Sequence, residues 1–336
     1  MNATRDPLRR LSPVIRLAPA KLNLTLAVVG RRDDGYHTLH SVFVPLTLAD
    51  RLSLAPLGGA DDTLHVSGLD AGPLRDNLVF RALAAARAAV GGGWAGGTGS
   101  GPAPALATRL DKRIPVAAGL AGGSSDAAAT LDGALEAWGA ELDDSARHAV
   151  AARLGSDVPF FLVGGPALVE GRGERVAPLD GLRGTPGVVL VTPQIAVATP
   201  DVFAAFDAIR SHGDGAVRLT SAHLAEELRS GLTAENLIAR AGVLASANDL
   251  LPATALVVPA LVPFKRALSR LLTRPIGLSG SGPTLWALYP SESAAAEGAA
   301  LVRAALDDGG LDAPGSSAPF VLATAIASRH QQGREP

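Results

Sequence analysis

The chain has 336 residues, with 30 Lys and Arg against 32 Asp and Glu, giving a net charge of -2 at pH 7. Hydrophobic residues make up 47% and charged residues 18%, which excludes a disordered, strongly charged chain and the basic footprint of a nucleic-acid binder. There are no cysteines, so disulfides, zinc–thiolate sites, iron–sulfur clusters and thiol nucleophiles are excluded together.

Residues 1–12 read as a frayed basic lead without an apolar h-region, so no signal peptide is expected. From Val14 to Val29 the pattern is strand-like. Leu22, Leu24 and Leu26 alternate with Lys21, Asn23 and Thr25, so leucines face a core and the polar residues share the opposite face. Gly30 to Gly35 is a turn. His40–Leu48 reads as a second strand, with shorter strands at Arg51–Ala55 and Thr63–Val66. Asn77 to Val90 predicts an alanine-rich helix ending at Gly91. A loop at 91–104 follows, with seven glycines and two prolines. It matches G-x-G-x-x-G at Gly91, Gly93 and Gly96, but no strand precedes it and no helix follows, so it is not a dinucleotide fingerprint.

Ala105–Ile114 predicts a strand, Pro115–Gly123 a loop of small residues, and Ser124–Trp138 a helix with Ser124, Ser125 and Asp126 as cap residues. Asp143–Leu154 is another helix. Past Pro178 come a strand at Val188–Val191, helices near Pro200–Ile209, Ser221–Arg229 and Ala255–Leu272, a second glycine loop at Gly277–Pro283, a strand at Thr284–Leu288, a helix at Ser293–Leu306 and a strand at Phe320–Ala327. The longest uncharged apolar stretch, Leu250 to Phe264, is too short for a membrane span and holds three prolines. A soluble, cytoplasmic protein with no membrane or nucleic-acid partner is expected. Strands and helices interleave without a βαβ rhythm, so the fold class is α+β. The domain boundary is placed near 178, giving residues 12–178 and 179–330.

Four patterns could carry chemistry. Pro115 to Asp126 runs from a strand through a glycine loop into a helix. Backbone N–H groups and the helix N-terminus make that an anion site, suited to nucleotide phosphates; close helix packing is the other use of such glycines. Lys21 is a cation on an otherwise apolar strand. It either stabilises charge on a phosphoryl group or sits solvated on an open sheet face. Asp157, in Gly-Ser-Asp-Val-Pro, is either a general base kept ionised by a partner such as Lys21 or a turn cap. Tyr36 and His37 follow a tight turn, where they could stack on and hydrogen-bond a planar base or lie on a hairpin surface. His37 and His40 lack the supporting ligands of a metal site, and no G-x-S-x-G elbow exists.

Three motifs in this order resemble the signatures of the GHMP kinases (galactokinase, homoserine kinase, mevalonate kinase, phosphomevalonate kinase). They are Pro19-Ala-Lys-Leu-Asn-Leu24, Gly119-Leu-Ala-Gly-Gly-Ser-Ser-Asp126 and Leu278-Ser-Gly-Ser-Gly282. Asp34-Gly-Tyr-His-Thr-Leu39, Asp76-Asn-Leu78, Asp111-Lys-Arg-Ile-Pro115 and Gly155-Ser-Asp-Val-Pro159 are similar to those of one member, whose substrate is a cytidine diphosphate-linked methylerythritol. The resemblance implies ATP-dependent phosphorylation of that compound's 2-hydroxyl, in the non-mevalonate route to isoprenoid precursors. It implies a ribosomal-S5-like N-terminal domain and a ferredoxin-like C-terminal domain, with a monomer or weak homodimer expected.

Carried over by position, Lys21 and Asp157 match the catalytic pair. Pro115, Val116, Ala117, Ala118, Gly119, Leu120, Ala121, Gly122, Gly123, Ser124 and Ser125 match the ATP phosphate loop. Asn23, Tyr36, His37 and Phe203 match the substrate pocket. Gly280, Ser281 and Gly282 match a second phosphate loop, closing on the phosphate from the other domain. ATP and Mg²⁺ are implied, with the metal ligands unassigned. Asp126 either approaches Mg²⁺ or caps the helix, and capping is preferred. The chain departs from the family at Ala117 and Ala121, where glycine is usual; alanine fits if φ is negative there. Another GHMP kinase, or a non-catalytic nucleotide-binding protein on the same scaffold, are the alternatives.

Overall fold

A computed structural model describes residues 12–57, 59–94, 102–209 and 215–327. The amphipathic start of the chain forms β1 (Val14–Asn23), but the expected strand does not continue to Val29. It breaks at Leu24–Leu26, where Leu26 N–H donates to the Ala247 carbonyl at 2.7 Å, and resumes as β2 (Ala27–Arg31). The turn is therefore shorter than expected, closed by an Arg32 N–H bond to the Tyr36 carbonyl.

Two expected strands are one. β3 (His37–Pro56) runs twenty residues, through the polar Ala49-Asp50-Arg51 that reads as a break. Asp50 is fully buried and needs no turn, because its carboxylate accepts the N–H groups of Arg113 and Ile114 and pairs with Lys112. β4 (Thr63–Gly68), α1 (Leu78–Val90), β5 (Leu106–Lys112), α2 (Gly122–Trp138) and α3 (Asp144–Leu154) follow close to expectation. Asn77 and Asp143 cap α1 and α3 through their side chains. Residues 95–101, with Gly96 of the literal dinucleotide motif, and the lead up to residue 11 lie outside the described residues. Then come α4 (Val158–Phe161) and the unforeseen hairpin β6 (Ala167–Gly171) and β7 (Arg175–Pro178).

The remainder comprises β8 (Gly187–Thr192), α5 (Thr199–Ile209), α6 (Ala216–Arg229), the short α7 (Ala234–Ala239) and α8 (Ala241–Ser246), α9 (Leu251–Val257), α10 (Leu261–Leu272), β9 (Gly277–Leu278), β10 (Leu285–Tyr289), α11 (Glu292–Asp307) and β11 (Phe320–Ala325). The helix expected over Ala255–Leu272 is split at Val258–Ala260 around Pro259, which cannot donate an interior helix bond. No helix among the described residues is long and apolar enough to cross a membrane.

The strands make two sheets. Seven join around β3, in the order β4-β5-β3-β6-β7 with β1 and β2 also on β3; only β4–β5 is parallel. Four make an antiparallel sheet ordered β11-β8-β10-β9. Helices α1, α2 and α3 cover one face of the first sheet, and α10 and α11 one face of the second. This is the α+β arrangement expected. Between the sheets lies a shared core in which Leu22, Val44 and Leu46 meet Val188, Leu190, Trp286 and Leu288, with Leu224 and Leu228 from α6. Both faces of the end of β1 are consequently buried, so Lys21, Asn23 and Thr25 face protein and not an open sheet surface. Leu22 is fully buried in this core, and Leu22→Ala should cost about 2–5 kcal/mol, read as a lowered urea midpoint by circular dichroism.

Candidate active site

Lys21 ends up near the close of β1, beside a register irregularity between Pro19 and Lys21 in the pairing with β3. Only 4% of it is exposed, which rules out a solvated surface lysine. Its Nζ donates to Asn23 Oδ1 at 2.6 Å and to the Gly119 carbonyl at 3.0 Å, and lies 4.8 Å from the centre of the Phe43 ring. Asp157 Oδ2 is 3.9 Å away. Burial pushes the Lys21 ammonium below the ordinary lysine value, and the Asp157 charge opposes this only in part. Asp157 stands immediately before α4 but makes no capping bond, and its side chain is 32% exposed. The carboxylate is thus free to meet a ligand.

The loop from Pro115 to Gly123 alternates in hand. Ala117 (φ 55°), Gly119 (φ 77°) and Ala121 (φ 55°) are left-handed, while Ala118 and Leu120 between them are not. Such alternation turns successive N–H groups toward one concavity, an anion-binding nest. Both alanines therefore occupy the positive-φ region, the case in which alanine carries a cost, at roughly 1–2 kcal/mol each relative to an unstrained residue. Strain of this kind persists where surrounding structure over-determines it. Here Lys21 N–H holds the Leu120 carbonyl at 3.0 Å and Thr284 N–H the Ala118 carbonyl.

The helix after the loop starts earlier than expected and is capped differently. α2 begins at Gly122, its N-cap is the left-handed Ala121, and no side chain caps it. Ser124, Ser125 and Asp126 lie inside the first turns. Asp126 does not cap. It is 2% exposed and pairs with Lys112 Nζ at 2.7 Å; Lys112 also pairs with Asp50. Two carboxylates share one ammonium out of water. Burial, then the Asp50 charge, push the Asp126 carboxyl well up. Burial lowers Lys112, but the Asp126 and Asp50 charges outweigh it together and its net shift is upward.

The second glycine loop packs against the first. Ser279 Oγ donates to the Gly119 carbonyl at 2.9 Å, and any Cβ on Gly119 would collide with the Ser279 carbonyl. Gly280 faces Lys21 Nζ and Asn23 Oδ1. Asn248 Nδ2 donates to the carbonyls of Leu278 and Gly280. Gly280 and Ser281 reach the same cleft as the first loop.

That cleft, about 850 Å³, also holds Tyr36, His37 and Phe203. His37 stacks on Phe203 with centroids 4.7 Å apart and planes 18° off parallel, and its Nε2 lies 2.7 Å from Asp207 Oδ1. Tyr36 is 52% exposed, with the Arg172 guanidinium 5.5 Å from its ring centre. Asn23 lies at the Lys21 end, where its Nδ2 donates to Ser41 Oγ at 3.1 Å. Lys112 and Ser279 fall inside motifs that carry the resemblance, although the resemblance assigns them no role, while nothing in the sequence singles out Asp207, Arg172, Asp50 or Asn248 as site residues. Asp207, one helical turn after Phe203, has the spacing that could have found it; the others come from distant segments.

The expected site residues line one cleft except Leu120, Ser125 and Gly282, which are buried and do not line it. A family model described as GHMP kinases N terminal domain matches residues 77–165, from α1 through the first glycine loop and past α4. Fold and matched segment place the chain among the GHMP kinases. A 4-diphosphocytidyl-2-C-methyl-D-erythritol kinase from Pelotomaculum thermopropionicum is 38% identical over 292 residues, covering 86% of this chain and 94% of that protein. A Methylorubrum extorquens enzyme of the same name is 39% identical over 300 residues, covering 87% and 95%. A crystal structure of 4-(cytidine 5'-diphospho)-2C-methyl-D-erythritol kinase superposes with a TM-score of 0.66 at 31% identity, covering 94% of this chain and all of that one. The Methanococcus jannaschii mevalonate kinase shares the fold at 13% identity and a TM-score of 0.66. The chain belongs to the 4-diphosphocytidyl-2-C-methyl-D-erythritol kinase family.

Lys112→Met would leave two buried carboxylates facing each other beneath the loop. It should destabilise the protein by about 3–5 kcal/mol, measured by chemical denaturation near neutral pH.

Proposed function

We propose that this chain transfers the γ-phosphoryl group of ATP to the 2-hydroxyl of 4-diphosphocytidyl-2-C-methyl-D-erythritol. The names of its relatives support the reaction. The observation that carries it to these residues is the Lys21–Asp157 pair, 3.9 Å apart at the mouth of a left-handed phosphate loop. Asp157 takes the hydroxyl proton as the oxygen attacks the γ-phosphorus. Lys21 polarises that hydroxyl and offsets charge developing on the phosphoryl oxygens. The residues Pro115 to Ser125 hold the ATP phosphates, through the backbone N–H groups of the loop and the N-terminus of α2. ADP leaves with the bridging oxygen, and the product keeps the new phosphate ester.

At the other end of the cleft, Tyr36, His37 and Phe203 receive the cytosine, with Asn23 ordering the Lys21 end. Gly280, Ser281 and Gly282 buttress the first loop and face the transferred phosphate from the other side. The division into residues 12–178 and 179–330 is supported by the end of the first sheet at Pro178 and the start of the second at Gly187.

For Mg²⁺, no cluster of three or more His, Asp or Glu suited to a metal occurs among the described residues. Ser125 Oγ and Asp126 Oδ1 are nevertheless buried without hydrogen-bond partners at the start of α2. These oxygens fit a magnesium ion held chiefly by nucleotide phosphates, the usual way Mg²⁺ is bound in kinases. When bound, the ion would neutralise charge on the β- and γ-phosphates.

Asp157→Asn should lower turnover by about 10²-fold or more while leaving affinity for a non-hydrolysable ATP analogue nearly unchanged. ADP release from the cytidylylated alcohol, mevalonate, homoserine and galactose tests the substrate. ADP only with one of the other alcohols would overturn the assignment. Since the Lys21 pKa is depressed, its ammonium is lost as pH rises through a value below the ordinary 10.5. The ratio kcat/KM, which reports the free enzyme, should fall along an alkaline limb below that value, and a profile flat up to it would remove the Lys21 charge from the chemistry.

A further inference from the structure

Asn23 meets Lys21 through its side-chain amide, and an amide can face either way. The Lys21 ammonium has three hydrogens. One goes to Asn23 Oδ1 at 2.6 Å and one to the Gly119 carbonyl at 3.0 Å. The last is left for the side of the cleft where Asp157 Oδ2 stands 3.9 Å away. Its direction therefore depends on which end of the Asn23 amide faces Nζ.

The neighbour that distinguishes the two ends is Ser41, on β3, fully buried and paired with Val169 of β6. A serine hydroxyl has one hydrogen, and that of Ser41 goes to the Thr25 carbonyl. Thr25 is itself pinned: its Oγ1 accepts the Val42 N–H at 3.0 Å and donates to Ser221 Oγ of α6 at 2.9 Å. Towards Asn23, Ser41 Oγ can consequently only accept, and it takes Nδ2 at 3.1 Å. Oδ1 is then turned to Lys21. The opposite orientation has an acceptor waiting, because Ser279 Oγ lies 3.4 Å from Oδ1 and gives its own hydrogen to the Gly119 carbonyl at 2.9 Å.

We infer that Ser41 is a positioning residue: its hydroxyl, able only to accept towards Asn23, fixes the amide with Oδ1 on Lys21 and so aims the remaining ammonium hydrogen at Asp157. The catalytic use of that hydrogen rests on the function proposed above. The same arrangement favours the charged form of Lys21. An ammonium has no lone pair and requires Oδ1, whereas a neutral amine can accept from a flipped Nδ2. Asp157 is the ionisable group that faces Nζ. At the far end of the network, His40 Nδ1 meets Ser221 Oγ at 3.0 Å, and burial chiefly holds this imidazole below the ordinary histidine value, away from the alkaline range.

Lys21, Lys112 and Lys265 are the lysines of the chain, so nuclear magnetic resonance of lysine-labelled protein can follow each Cε against pH, with Lys21 identified by its loss in Lys21→Met. In Ser41→Ala the Lys21 midpoint should fall by about one pH unit, the scale of one hydrogen bond to a charged group. The alkaline limb of kcat/KM should move with it, and Ser41→Thr should restore both. In an Asn23→Ala background, Ser41→Ala should shift neither, because residues acting through one contact are not additive. An unmoved midpoint or limb in folded Ser41→Ala would overturn the inference, as would an equal fall with and without the Asn23 side chain. Ser41→Cys, close in size and a weaker acceptor, makes the same comparison if the alanine variant does not fold, and an unmoved midpoint there overturns the inference equally. The resonance measurement needs no substrate, so failure of the proposed reaction is seen separately, as wild type that makes no ADP from the cytidylylated alcohol.

Discussion

The buried ammonium of Lys21 is the constraint around which the site is arranged. Lysine is rarely taken fully out of water unless it is paired, because desolvating the charge is expensive. Here the cost is offset by ligands from four segments: Asn23 on the same strand, the Gly119 carbonyl in the first loop, the Phe43 ring on β3 and Asp157 before α4. Meeting all four requires the first glycine loop to lie over the end of β1. The Leu120 carbonyl then receives Lys21 N–H, and the loop's remaining N–H groups are directed elsewhere. Satisfying one charge from the protein side shapes a surface complementary to the opposite charge.

The same logic explains why both glycine loops are needed although they come from different sheets. The Gly119 carbonyl accepts from Lys21 and from Ser279, so the second loop must approach closely. It approaches so closely that no side chain fits at Gly119. Asn248 holds the second loop in place through two backbone carbonyls. The left-handed Ala117 and Ala121 tolerate their backbone conformation because the loop is pinned from both sides.

Beneath the start of α2 lies a second charged group, Asp50–Lys112–Asp126. A buried ion pair is weak evidence for stability, since desolvation can exceed the Coulombic gain. Its geometric consequence is plainer. It ties β3, β5 and α2 together under Gly122, where a Cβ would meet Lys112 Nζ at 3.0 Å. The helix end that points at the proposed phosphate is therefore anchored by charge as well as by packing.

Local order is legible in the residues. The alternation of β1, the small-residue loop, the helices capped at Asn77 and Asp143 and the glycines at 119 and 280 are short-range features, and periodicity and turn chemistry report them directly. Asp50 reads as a strand break because a charged residue looks exposed until its partners, 62 residues or more along the chain, are placed beside it. Asp126 reads as a cap for the same reason. The hairpin β6–β7 and Arg172 carry no recognised motif. The sequence by itself determined most of the helices and strands, and it marked the small-residue loop, Lys21 and Asp157 as candidates. Only the tertiary structure decided which charges are buried and which are paired, because those depend on contacts between segments far apart in the chain, where local propensity has no influence.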